Sequence, residues 1–137
     1  MFAFFRRRGR AGQETGSPER ALIAGFEALE PARQDAAALE LLRLWTWFND
    51  EFEGTASFVG RPEAEQDAYI DKLAHAAARS ASLKDGDLGR FYYSSAMLSL
   101  FMRALRAGDS SPDALALSAR VAWMINHARQ LQAGREA

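Results

Sequence analysis

The stretch LLRLWTWFNDEF, residues 41–52, decides how the chain reads. Apolar residues recur there every three or four positions, the period of an amphipathic helix and not of a strand. At about 100° per residue, Trp45 and Trp47 point roughly 160° apart, so one buried stripe takes only one of them. Leu41, Leu44, Trp45, Phe48 and Phe52 share one arc and form the predicted core face. Trp47 falls outside it, among Glu40, Arg43 and Glu51.

Working outward, helix signals punctuate the rest of the chain. Ser17 before Pro18 is a cap residue followed by proline at the first helical position, and a first helix should end near Glu30, ahead of Pro31. The second runs from Pro31 or Asp35 to Glu53 and stops at Gly54, after which GTASFVGR (54–61) reads as a loop carrying Phe58 and Val59. A third helix starts near Pro62, with Glu63, Glu65 and Asp67 at its positive end, and closes before KDGD (84–87). The fourth covers roughly Asp87 to Ala107, and the fifth opens at Ser111 and Pro112 and continues to about Gly134. No window alternates apolar and polar residues with β-branched enrichment, so strands are not expected.

The expected fold class is therefore all-α: a single-domain bundle of about five helices over residues 17–137, with a basic, Phe-rich N-terminal tail over residues 1–16. On helical projection the third helix buries Tyr69, Ile70, Leu73, Ala76 and Ala77. The fifth buries Leu117, Val121, Met124, Ile125, Ala128 and Leu131, with Trp123 on its opposite side near His127. The fourth has so wide an apolar arc that it should lie centrally, leaving Ser95, Ser99, Arg103 and Arg106 on the remaining polar side.

With 137 residues, 48% of them apolar and 26% charged, the composition is that of a globular domain. Its formal charge of −1 conceals a basic start, Arg6, Arg7, Arg8 and Arg10, so the body is acidic and the tail is the expected electrostatic partner-seeker. The chain has no cysteine, which removes disulfides, thiol catalysis and thiolate metal sites. Its longest uncharged stretch, Phe91 to Met102, is too short to cross a bilayer as a helix, which needs about 20 residues. A cytoplasmic protein is expected, with peripheral membrane contact through the tail as the variant.

Motifs of chemistry are sparse. Two histidines and no Glu-x-x-His pair exclude a carboxylate-bridged dimetal bundle, and Asp71 with His75 reads as a polar helix face. Gly9, Gly12 and Gly16 follow no strand and lack the Gly-Lys-Ser/Thr ending of a phosphate loop. Asp50, Glu51 and Glu53 read as a solvated helix end. No catalytic, cofactor-binding or metal-ligating residue is predicted.

What the pattern favours is a non-enzymatic protein–protein interaction module: an adaptor, inhibitor, small chaperone or accessory subunit of a larger assembly. Tryptophan and arginine are the preferred anchors of such surfaces, so the expected interface is Trp47 and Trp123 with Arg43, Glu51 and Arg120, facing another protein or a second copy in a homodimer. The alternative places the activity in the tail. There Phe2, Phe4 and Phe5 beside Arg6, Arg7, Arg8 and Arg10 could meet an anionic membrane surface, with nucleic acid the less favoured target. A second alternative is a small-ligand-binding bundle with a pocket near Tyr92, Tyr93, Ser95 and Arg103.

Overall fold

The computed structural model describes residues 17–82 and 88–136, and the chain there is helices joined by short turns, with no strand among the described residues. Helix α1 spans Pro18–Glu27, α2 Pro31–Phe52, α3 Thr55–Val59, α4 Glu63–Ser80, α5 Tyr93–Ala107 and α6 Pro112–Glu136, with a π-helical turn, Leu88–Tyr92, leading into α5. Among the described residues the bundle thus has six helices where five are expected. No described helix is long and apolar enough to cross a membrane.

The extra helix is α3, in the segment that reads as a loop. Its Phe58 is fully buried, and Gln66 holds it there: the Gln66 amide lies 3.1, 2.9 and 3.0 Å from the carbonyls of Phe58, Val59 and Arg61. The Phe58 and Val59 carbonyls end α3 and that of Arg61 lies in the turn beyond, so one buried glutamine amide, sharing its two N–H donors among them, ties α3 to α4. Gln34 does the same at the end of α1, donating to the carbonyls of Phe26 and Glu27 at 3.2 and 3.3 Å. The chain leaves α2 through Glu53, whose φ of 61° is left-handed, ahead of Gly54 at φ 106°.

Three polar pairs set the direction of packing. Arg20 meets Asp113, Glu27 meets Arg120 and Asp35 meets His127, at sequence separations of 93, 93 and 92. The nearly constant offset sets α1 parallel to α6, and α2 continues in the same direction, from Asp35 at His127 to Leu39 and Trp47 beside Gln132 and Arg135, with residues 113, 120 and 127 at heptad spacing. It also sets the two Ser-Pro helix starts side by side. Ser17 caps α1 through the Arg20 N–H at 3.1 Å, and Ser111 caps α6 through the Ala114 N–H at 3.2 Å. Helix α4 runs against α5: Asp67 at its start pairs with Arg106 at the end of α5, and Ala77 near its end shares a groove with Tyr93.

The interior has two parts. Leu22, Phe26, Leu41, Met97, Val121 and Met124 fill the space between α1, α2, α5 and α6. Phe48, Phe52, Phe58, Ile70, Leu98 and Met102 fill that between α2, α3, α4 and α5. Trp45 joins them, stacked on Phe48 at 5.4 Å and edge-on to Phe101 at 6.1 Å. Helix α5 is central, as its wide apolar arc implies, and for that reason the assignment of Ser95 and Ser99 to a polar face is corrected: both are buried, with Ser94. Glu40 is a second correction. Assigned to the exposed back of α2, it is only 4% exposed.

Candidate docking site

Glu40 is buried because two arginines close over it. Its Oε2 accepts from Nε of Arg43 at 3.0 Å, one turn along α2, and its Oε1 lies 3.5 Å from Nε of Arg90. Arg90 reaches it from the π-helical turn, where the Ser94 hydroxyl donates to the Arg90 carbonyl at 2.7 Å. A carboxylate taken out of water needs such partners, and here each oxygen has its own. The bond to Glu40 holds the Arg43 guanidinium above its ordinary pKa, outweighing the opposing effect of burial.

Arg43 has a second contact. Its guanidinium carbon lies 4.5 Å from the centre of the Trp47 ring, a cation–π stack. Trp47 is 59% exposed, the largest exposure among the large hydrophobic side chains of the described residues. The exposed indole is therefore seated on an arginine that is itself fixed to a buried carboxylate.

Beside it runs a groove of about 570 Å³. Leu39, Leu42 and Thr46 of α2 line it with Trp47, and Arg90, Gln132 and Arg135 complete its rim. Three guanidinium groups and one buried carboxylate leave this face cationic, although the body as a whole is acidic. Guanidinium groups around an apolar floor and an aromatic wall suit carboxylates presented next to apolar side chains.

The remaining residues expected at the interface lie elsewhere. Trp123 is 39% exposed; it stacks on His127 at 4.6 Å and meets Phe26 edge-on at 6.0 Å. Arg120 pairs with Glu27 and lies 5.2 Å from the Trp123 ring centre. By the α2–α6 register Trp123 stands level with the start of α2, about 24 Å along the helix from Trp47 at 1.5 Å per residue. Glu51 belongs to a third place, a hollow with Arg61, Tyr69 and Lys72 at the other end of α2. The structure stacks Arg43 on Trp47 and sets both apart from Trp123 and Arg120, while Glu51, one turn beyond Trp47 on α2, lines a different hollow.

Sequence reasoning misses Arg90, Gln132 and Arg135, because only the π turn and the parallel α2–α6 register bring them to Trp47. One signal was legible for the helix clamp: Gln66 shares the i, i+4, i+7, i+11 stripe with Ile70, Leu73 and Ala77. Among the described residues no group of three or more acidic or histidine side chains is placed to hold a metal ion. Phe2, Phe4, Phe5, Arg6, Arg7, Arg8 and Arg10 lie outside the described residues. Comparison of the chain with protein-family models, curated proteins and solved structures gives no match.

Proposed function

We propose that the protein is a non-enzymatic interaction module that docks a segment of another protein in the groove beside Trp47. The observation that carries this reading is the fixed, exposed indole: Trp47 stands on Arg43, and Arg43 on buried Glu40. An anchor held in place before binding loses little conformational freedom on docking, which favours affinity. Arg43, Arg90 and Arg135 select a partner that carries aspartate or glutamate beside an apolar side chain. A second copy fits less well, since an isologous contact through this groove would set the same arginines against one another.

Coprecipitation from host extract tests the reading. A protein retained by the wild type and by Trp123→Ala should be lost from Trp47→Ala and weakened by Arg135→Glu and by added salt. The same proteins on Trp47→Ala as on the wild type would overturn it. The alternative of a membrane-binding or nucleic-acid-binding tail concerns residues 1–16, outside the described residues.

A further inference from the structure

A second groove lies between α1, α4 and α5 and shares no residue with the first. Its floor is small and apolar: Ala21 and Leu22 from α1, Ala77 from α4, Ala96 and Leu100 from α5. Its volume of about 370 Å³ falls in the range of small-molecule sites.

The polar groups of this groove are few and unspent. Ser99 lines it and is only 4% exposed, yet its hydroxyl has no hydrogen-bond partner among the described residues. Buried hydroxyls are normally satisfied, as that of Ser94 is by the Arg90 carbonyl. Arg103, one turn further along α5, also lines the groove and forms no ion pair among the described residues, whereas Arg106 is taken by Asp67. Tyr92 and Tyr93, packed edge to face at 5.1 Å, close the opposite end. From Tyr93 to Arg103 the trough follows ten residues of α5, about 15 Å at 1.5 Å per residue.

We propose that this groove binds an unbranched, medium-chain aliphatic monocarboxylate. The Arg103 guanidinium and Ser99 hydroxyl receive the carboxylate, and the chain lies over the alanine floor towards Tyr93. A cation and a hydroxyl at a single end, both without partners among the described residues, match one carboxylate, and the rest of the lining offers an apolar body little but burial.

Decanoate, whose extended chain is close to the trough in length, is the probe, titrated calorimetrically into the full chain beside decanol. Decanoate should bind saturably at one site, and Arg103→Gln should weaken it at least tenfold, to the level of decanol. Ala21→Leu fills the groove from the exposed side of α1 and should abolish binding while leaving the thermal melt intact; Trp47→Ala should leave binding unchanged. Absence of saturable binding, equal affinity for decanoate and decanol, indifference to Arg103→Gln or Ala21→Leu, or loss on Trp47→Ala each overturns the proposal.

Discussion

The guanidinium of Arg43 lies between the Glu40 carboxylate, 3.0 Å from its Nε, and the Trp47 ring, whose centre is 4.5 Å from its Cζ. Ion pair and stack share one side chain, so the position of the exposed tryptophan depends on a buried acid. Arg90 supports that acid independently from the π turn.

This redundancy makes the two arginines non-additive. Arg43→Ala or Arg90→Ala alone leaves Glu40 one partner and should cost about 1 kcal/mol, whereas the double variant leaves a buried carboxylate unpaired and should cost about 3–5 kcal/mol. Urea denaturation of the four proteins of the cycle measures the coupling. A double variant equal to the sum of the singles would mean that Glu40 is rehydrated and the network carries no joint energy.

Gly25 makes room for Tyr93. A Cβ at position 25 would lie 2.4 Å from the Tyr93 hydroxyl oxygen and 3.0 Å from its ring carbon Cε1, so the ring crosses α1 at the one position with no side chain. In an open helix Gly→Ala stabilises by up to about 1 kcal/mol. Here Gly25→Ala should instead lower stability or fail to raise it, because Tyr93 must move. Tyr93→Phe removes the closest contact and leaves the ring carbons near 3 Å, so the Gly25→Ala, Tyr93→Phe pair should regain only part of the helical gain. A Gly25→Ala melt raised by the full propensity gain would show that Tyr93 moves freely.

These two sites mark the limit of what the sequence states. Helix starts at Pro18, Pro31 and Pro112 are legible because caps and prolines act locally, and the stripes on α2, α4 and α6 are legible because burial follows the helical period. The burial of Glu40 is not, because its second arginine comes from a turn distant in sequence. Nor is the burial of Ser95 and Ser99: a helix wheel ranks faces by polarity, and α5 is enclosed on its polar side too. Of the candidate site, Trp47 and Arg43 are legible from their place on the back of α2, while Arg135 arrives there only through the register with α6.

Tyr69 gives the fold an alkaline limit. Packed against Phe48, Phe52 and Phe58, its phenol is pushed well above its ordinary pKa first by burial and then by the nearby Glu51 carboxylate. Below pH 10 the phenol is protonated in both folded and unfolded chains, so its contribution is fully present. Above pH 10 the unfolded chain releases the proton while the folded one keeps it, and stability falls by up to about 1.4 kcal/mol per pH unit for this one group. Burial also raises Tyr93, which adds in the same direction. Urea midpoints measured from pH 9 upward should fall, and Tyr69→Phe should fall less steeply; equal slopes would place the alkaline sensitivity elsewhere.

The two tryptophans on helix backs should separate cleanly when each is truncated. Trp47 touches solvent over most of its surface, so Trp47→Ala should change folding stability by no more than about 0.5 kcal/mol, the range of ordinary surface substitutions. Trp123 covers the fully buried Phe26 and stacks on His127, which is itself bonded to Asp35 at 2.6 Å. Its removal uncovers core ring surface and leaves the α1–α6 seam less covered, so Trp123→Ala should cost about 2 kcal/mol, below the value for a fully buried aromatic. Denaturant midpoints of the two variants make the comparison directly. A large loss from Trp47→Ala would make that indole a structural residue and remove the reason to look for what it docks; a small one, with Trp123→Ala destabilised, would show that the fold does not need the Trp47 indole, as the proposed docking role requires.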